Sequence, residues 1–117
     1  MVFIIRNYLS VIKNMSVLME FAMFPTDVGT SKSEYVSKVI EMIRAEVPNY
    51  KLTAMGTIIE TDTLAEALRI VQKAQDILLP HTERIYSTVK FDIRKDCNNR
   101  LEQKIKSIEN RIGDVNK

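Results

Sequence analysis

The sequence is poor in the residues that define several protein classes. It has no Trp, a single Cys, and three residues each of Gly and Pro among 117. One Cys excludes an intramolecular disulfide framework and any metal site built on several cysteines. Little Gly and Pro beside 45% hydrophobic residues argues against disordered and collagen-like sequence. The composition therefore indicates one small globular domain, which we expect to be cytoplasmic.

The chain also lacks an excess of charge of either sign. It has 17 basic and 15 acidic residues, for a net charge of +2. Proteins that bind nucleic acid usually carry a basic face that shows in these totals, so we expect no nucleic-acid partner. The two surplus bases, Arg6 and Lys13, both lie in residues 1–14, and the rest of the chain is balanced.

Residues 1–14 differ from the rest of the chain, because they contain no acid and their apolar runs are broken by Arg6 and Asn7. The runs are too short to cross a bilayer, and they lack the small-residue cleavage site of a signal peptide. We expect an N-terminal extension from a start assigned too early, with a single domain over residues 15–117 and no membrane association. A weakly amphipathic helix on a membrane surface is the alternative.

Three segments have the pattern of β-strands. Residues 16–24 are almost wholly apolar, with Glu20 as their only charge, which predicts a strand covered on both faces. Residues 50–60 are strand-like around Gly56, which predicts either two strands or one long strand with a bulge at that glycine. Residues 85–93 alternate between an apolar and a polar set, as in a strand with two different faces.

Three segments have the spacing of amphipathic helices. Apolar residues recur every three or four positions over about residues 33–47, 64–78 and 101–112. Each segment begins near a Ser, Thr or Asn that is followed three residues later by Glu, which is the sequence of a capping box. These pairs are Ser31 and Glu34, Thr63 and Glu66, and Asn99 and Glu102.

The order of elements is therefore β-α-β-β-α-β followed by one helix. This order predicts an α+β protein with a ferredoxin-like antiparallel sheet and an added C-terminal helix. Two helices cover one face of such a sheet and leave the other open. Because the first strand is apolar throughout, we expect the open face to meet another subunit in a homo-oligomer. The narrow apolar stripe of the last helix also suits packing between chains.

No combination of side chains indicates catalysis. His81 has no second His or nearby acid placed for a triad or a metal site, and Cys97 belongs to no CxxC pair. The loop after the first strand lacks the GxxxxGK pattern of a phosphate loop. We therefore predict no catalytic residues, no metal and no cofactor, and we expect that the protein is not an enzyme.

Two features indicate a small-molecule ligand, each beside an ordinary structural explanation. Thr30, Ser31 and Ser33 place hydroxyls at a helix N-terminus, where capping alone explains one of the three. Glu20 is a carboxylate in the middle of an apolar strand, where an unpaired charge is costly to bury. It forms an ion pair, for which Lys90 or Arg94 of the last strand is the candidate partner, or a hydrogen bond at an interface, or it meets a cationic ligand.

Four segments in order resemble the small thiamine-binding (YkoF-like) family. They are Met19-Glu-Phe-Ala-Met-Phe-Pro, Gly29-Thr-Ser-Lys-Ser-Glu-Tyr-Val, Thr53-Ala-Met-Gly-Thr-Ile-Ile-Glu and Val89-Lys-Phe-Asp-Ile-Arg. In the last segment, Ile93 stands where a second Asp is common. The resemblance extends from Met15 to about Gly113.

This resemblance implies a ferredoxin-like subunit that forms homodimers or homotetramers through its sheets. It also implies binding of thiamine or its hydroxymethylpyrimidine part without catalysis. The matching positions give the predicted ligand-binding residues, which are Glu20, Ser31, Ser33, Tyr35, Met55, Gly56, Thr57 and Glu60. The alternative function is a regulatory or structural oligomer of ferredoxin-like domains that senses another small molecule, such as an amino acid.

The chemistry of these residues is compatible with thiamine, which joins a neutral aminopyrimidine to a cationic thiazolium. Hydroxyls of Ser33 and Thr57 can pair with the pyrimidine edge, and Tyr35 and Met55 can sandwich the ring. A carboxylate of Glu20 or Glu60 can accept the amine and attract the cation. Because a helix N-terminus repels a cation, we expect the pyrimidine to point toward it.

Overall fold

The computed structural model describes residues 15–30 and 32–117, which form four strands and three α-helices. In chain order these are β1 (Met15–Pro25), α1 (Lys32–Glu46), β2 (Tyr50–Leu52), β3 (Thr57–Thr61), α2 (Leu64–Leu78), β4 (Ile85–Lys95) and α3 (Arg100–Ile112). A short 3-10 helix, Leu79–His81, follows α2. The expected N-terminal extension over residues 1–14 lies outside the described residues, as does Ser31.

The four strands form one antiparallel sheet in the order β2-β3-β1-β4. β1 and β4 pair over their full length, from Met15 opposite Lys95 to Pro25 opposite Ile85. β3 lies on the other side of β1, between the two strands that α1 connects. This topology and the additional helix α3 confirm the predicted ferredoxin-like α+β fold.

The hydrophobic core lies between one face of the sheet and the helices α1 and α2. Alternate residues of β1 point into it, because successive side chains of a strand face opposite ways. Val17, Met19, Phe21 and Met23 are all buried, and Ile59 of β3 lies opposite Met19. The helices contribute the buried residues Val39, Ile43, Ala67, Ile70, Ala74 and Leu78.

Within a single chain, β1 is covered on one face only, so the expected cover of its other face by a second subunit stays a prediction. On its other face Leu18, Ala22 and Phe24 are half-buried and Glu20 is exposed. The reason is topological: α1 and α2 both lie on the core side, and α3 covers only part of the opposite face, from Ser16 of β1 toward Lys51 of β2. We call that opposite side the open face.

Residues 50–61 form a hairpin of two strands, so the alternative of one long bulged strand is wrong. Leu52 pairs with Thr57, and the four intervening residues form a tight turn. Thr53 holds this turn together. Its backbone N–H and its hydroxyl both donate to the Gly56 carbonyl, at 2.8 and 2.7 Å, and its Oγ1 accepts from the N–H groups of Met55 and Gly56.

The structure confirms one of the predicted helix caps and contradicts another. Thr63 caps α2, since its Oγ1 accepts from the Glu66 N–H at 3.2 Å, as predicted. The predicted cap at Asn99 is wrong, because Asn99 has a φ of 55° and its side chain makes no capping hydrogen bond. A carboxylate from the distant strand β3 caps α3 instead. None of the helices in the described parts of the chain is both long and apolar enough to cross a membrane.

Candidate functional site

A notch lies beside β1, where the sheet loses one strand. β3 begins at Thr57, opposite Phe21, whereas β1 continues with β4 to Pro25. Residues 22–24 therefore have no strand on their β3 side among the described residues. The space there, about 270 Å³, is lined by residues 21–24 of β1, residues 52–57 of the hairpin and three apolar residues of α1. The notch is thus mostly apolar and open to solvent.

A second depression of about 250 Å³ adjoins the notch on the open face. Its lining includes Glu20, Ala22, Met55, Thr88 and Lys90. Met55 is 87% exposed at the tip of the hairpin turn and lines both spaces. The two depressions meet at Met55 and differ in character, since the notch is lined mostly by apolar residues and the second depression includes the charged side chains of Glu20 and Lys90.

Glu20 supplies the acid of this region. Its Oε1 lies 3.9 Å from Nζ of Lys90, directly opposite on β4, so the structure shows the predicted ion pair. The two side chains are 49% and 75% exposed, respectively. The pair is therefore weak in the single chain. A cationic ligand could take the place of Lys90 at little cost.

Gly56 allows the hairpin turn to approach β1 closely. A Cβ atom at this position would lie 3.0 Å from the carbonyl oxygen of Phe21, closer than real Cβ contacts normally come. The glycine is thus required by contact with a neighbouring backbone at the edge of the notch. This contact, and no bulge, explains why the strand-like segment is interrupted here.

Replacing Gly56 with Ala should lower the free energy of unfolding by about 1–2 kcal/mol, because β1 or the turn must shift to admit the methyl group. Urea denaturation measures this loss. Ala54→Ser is the matched control, since Ala54 is exposed in the same turn, and it should leave stability unchanged. Equal stability of the Gly56→Ala variant and the wild type would show that the contact is not restrictive.

Glu60 lies at the opposite end of β3 from the notch, and its carboxylate binds the N-terminus of α3. It accepts hydrogen bonds from the Ser16 hydroxyl at 2.6 Å and from the N–H groups of Arg100 and Leu101 at 3.0 and 3.2 Å. Burial raises the pKa of Glu60, but these hydrogen bonds and the charge of Arg100 together hold it below its usual range. The carboxylate is therefore ionised and already engaged at neutral pH.

Arg100 completes this attachment of α3. Its guanidinium donates to Oγ and to the carbonyl oxygen of Ser16, each at 3.0 Å, and lies 3.2 Å from a carboxylate oxygen of Asp92. Its side chain is only 10% exposed. Ser16, Glu60 and Asp92 belong to three neighbouring strands, so one arginine joins α3 to the ends of β1, β3 and β4.

The structure brings only some of the predicted ligand-binding residues together. Met55, Gly56 and Thr57 line the notch, and Glu20 lies beside Met55 on the open face. Ser33 is exposed in the first turn of α1, and Tyr35 is half-buried with its ring centroid 5.2 Å from that of His81. Neither of them lines the notch. The ligand roles of all eight residues stay predictions.

Three residues at the rim were missed by the sequence reasoning. The rings of Phe24 and Tyr86 lie 5.8 Å apart on the open face, and Nζ of Lys32 lies 4.9 Å from the centre of the Phe24 ring. Tyr86 is 52% exposed, so the aromatic surface is accessible. The pair follows from the register of β1 with β4, and that register could not be predicted from the sequence.

The loop after β1 is fastened to the segment that precedes β4. The Thr26 N–H donates to the Arg84 carbonyl at 3.0 Å, and the Asp27 carboxylate accepts from the Thr82 hydroxyl and from the Glu83 N–H. The Thr82 and Glu83 hydrogen bonds hold the pKa of Asp27 below its usual range. The start of the loop is therefore tied to the segment before β4 at the Pro25 end of the notch.

In residues 15–30 and 32–117, no group of three or more His, Cys, Asp or Glu is placed to hold a metal ion.

The strand order and the two helices on one face define a ferredoxin-like domain, and the notch beside β1 is its candidate site. The model of the thiamine-binding protein family matches residues 19–109. The chain therefore belongs to that family, which confirms the resemblance found in the four sequence segments.

Similar proteins occur in archaea and bacteria. A UPF0045 protein of Methanocaldococcus jannaschii is 37% identical over 92 residues, which cover 79% of this chain and 91% of that protein. A UPF0045 protein of Mycobacterium bovis is 34% identical over 96 residues, covering 81% and 93% of the two chains. A crystal structure of the Methanocaldococcus jannaschii protein superimposes with a TM-score of 0.70 at 35% identity, over 80% of this chain and 95% of that one.

Proposed function

We propose that this protein binds thiamine, or its hydroxymethylpyrimidine part, as a non-catalytic homo-oligomer with a carrier, sensor or storage role. The observation that carries the proposal is the apolar notch at Met55–Thr57 beside an accessible carboxylate, in a chain of the thiamine-binding protein family. The family description names binding and no reaction, in keeping with a protein that is not an enzyme.

In the proposed complex, the pyrimidine ring enters the notch and the thiazolium lies toward the open face. The thioether of Met55 can cover one side of the ring, since sulfur makes favourable contacts with aromatic groups. Thr57 offers a hydroxyl to the pyrimidine edge. The cationic end then meets Glu20, which releases Lys90. This orientation also keeps the cation away from the N-terminus of α1.

The homo-oligomer belongs to the proposal because the open face exposes apolar and aromatic groups. Leu18, Ala22 and Phe24 are half-buried in the single chain, and Tyr86 is exposed. A second subunit that covers this face would remove them from water and would close the depression around Glu20. A monomeric mass in solution would contradict the oligomer.

We also propose a cytoplasmic location, for which the single cysteine is the argument.

Isothermal titration calorimetry with thiamine, its phosphates and hydroxymethylpyrimidine tests the ligand. We expect saturable binding of thiamine or hydroxymethylpyrimidine at one site per chain, together with an upward thermal shift, since a ligand that binds only the folded state stabilises it. Absence of heat and of thermal shift with every one of these compounds would refute the proposal. An amino acid that binds in their place would favour the alternative regulatory role.

A further inference from the structure

Strand β4 has one free edge along its full length. It is the last strand of the sheet, and in residues 15–30 and 32–117 no strand pairs with its outer side. Nine of its eleven residues are exposed, and Ile85 and Val89 are half-buried. An edge of this length presents a row of unpaired N–H and C=O groups that can pair with a further strand.

The register of β1 with β4 shows which backbone groups point outward. The Thr26 N–H donates to the Arg84 carbonyl at 3.0 Å, one residue beyond the last pair of the β1–β4 ladder and in the same register. In an antiparallel ladder, residue pairs that exchange hydrogen bonds alternate with pairs that do not. The even-numbered residues of β4 therefore bond to β1. The odd-numbered ones, from Ile85 to Lys95, direct their N–H and C=O groups to the free edge.

The side chains of these odd-numbered residues make an apolar face that extends beyond the helices. Phe91 lies opposite Met19 and Ile93 opposite Val17, so both point to the core side of the sheet. Met19 and Val17 are fully buried, whereas Phe91 is 39% and Ile93 is 47% exposed. A strand placed beside β4 would remove this apolar surface from water.

The sequence of β4 is complementary to itself around Phe91. When two copies run antiparallel about a two-fold axis at this residue, Phe91 meets Phe91 and Val89 meets Ile93 on the core side. On the open face, Lys90 of each copy meets Asp92 of the other. Apolar pairs and pairs of opposite charge are the cross-strand neighbours that stabilise a sheet.

The charges of β4 select this register over its neighbours. An axis at residue 90 would set Lys90 opposite Lys90, and an axis at residue 92 would set Asp92 opposite Asp92 and Lys90 opposite Arg94. Lys90 and Asp92 already contact Glu20 and Arg100 of their own chain, but their side chains are 75% and 72% exposed and can face a second partner. Pairs this exposed contribute little free energy, so they choose the register while the backbone and the apolar face supply the stability.

We propose that β4 pairs antiparallel with β4 of a second copy of this chain, about a two-fold axis at Phe91. The two four-stranded sheets then form one continuous sheet of eight strands with the helices of both copies on the same face. This interface is separate from the open face. It does not depend on the proposed function, because Val89, Phe91 and Ile93 do not line the notch.

A disulfide cross-link tests the pairing and its register. In the full-length Cys97→Ser protein, Phe91→Cys places the two thiols on the axis with Cα atoms about 5.5 Å apart, within the range of a disulfide. Oxidation should convert most of this variant to a covalent dimer on a non-reducing gel. Ile93→Cys is the matched control on the same face. Its two Cα atoms lie about 14 Å apart in the proposed register, so it should not cross-link.

A charge on the axis provides a second test. Phe91→Lys sets two like charges directly opposite each other and should halve the mass of the largest assembly seen by sedimentation. Leu68→Lys adds the same charge at a residue of α2 that is 49% exposed, and it should leave the mass unchanged.

Two results would overturn the proposal. One is a Phe91→Cys variant that cross-links no better than Ile93→Cys, and the other is an unchanged mass for Phe91→Lys. An oligomer held together only through the open face would give both, because Phe91 lies on the opposite side of the sheet. Neither measurement depends on whether thiamine binds.

Discussion

Replacing Glu60 with Gln should lower the free energy of unfolding by about 2–3 kcal/mol at pH 7, because the native carboxylate serves three donors at once. An amide presents one oxygen and one N–H₂ group to the hydroxyl of Ser16 and to the N–H groups of Arg100 and Leu101. At least one backbone donor of α3 would lose its acceptor, and the nearly buried Arg100 would lose a neighbouring negative charge. Urea denaturation at pH 7 measures the loss.

The same substitution should change the pH dependence of stability. The native pKa of Glu60 lies below its ordinary value of 4.5, so the ionised carboxylate stabilises the folded state fully above that value. The stabilisation is lost as the pH falls through the native pKa. The difference between wild type and Glu60→Gln should therefore be constant from about pH 6 to 8 and shrink below about pH 4.5.

Glu102→Gln is the matched control, since this carboxylate lies on the same helix and is 56% exposed. It should change stability little. A Glu60→Gln variant as stable as this control would show that the contacts at the start of α3 are weak. Titrating the folded Glu60→Gln variant with thiamine also tests the predicted ligand role of Glu60, because an unchanged affinity would remove it from the site.

Replacing Glu20 with Gln should weaken thiamine binding about tenfold while leaving the affinity for hydroxymethylpyrimidine unchanged. Thiamine carries the thiazolium cation and hydroxymethylpyrimidine lacks it, so only thiamine loses an attraction to the carboxylate. The difference should be largest at low salt, because Glu20 is half-exposed and screened by ions. Calorimetry with both compounds at two ionic strengths measures it.

Replacing Lys90 with Met should change the thiamine affinity in the opposite direction, because it removes the other partner of the same ion pair. It frees Glu20 of its partner and should strengthen thiamine binding. Glu41→Gln removes an equivalent exposed charge from α1, on the other side of the sheet, and should change neither affinity. If Glu20→Gln weakened both ligands equally, the carboxylate would contact the pyrimidine and the proposed orientation would be reversed.

The sequence predicted the elements well where the signal was local. The spacing of apolar residues located α1 and α2 to within a residue or two, and Thr63 identified the cap of α2. The order of the elements then led to the fold, because few arrangements accommodate a split β-α-β unit. The family resemblance also depended on segments that are continuous in the chain.

The site was harder to predict, because its parts meet only after the strands pair. The cap of α3 comes from Glu60, some forty residues earlier in the chain, so the local pair of Asn99 and Glu102 gave a wrong prediction. The aromatic pair of Phe24 and Tyr86 depends on the register of β1 with β4. The exposure of Glu20 depends on which face the helices cover.

The hydrogen bonds that tie the loop after β1 to the segment before β4 have a consequence for the kinetics of ligand exchange. The β1 wall of the notch is held by Thr26 and Asp27, whereas the facing wall is a turn at the end of the three-residue edge strand β2. Short edge elements with exposed side chains open at low cost compared with a core strand. A molecule in the notch therefore has one fixed wall and one movable wall. Under the proposed function, we expect opening of the β2–β3 turn, with Met55 at its tip, to limit how fast the ligand enters and leaves.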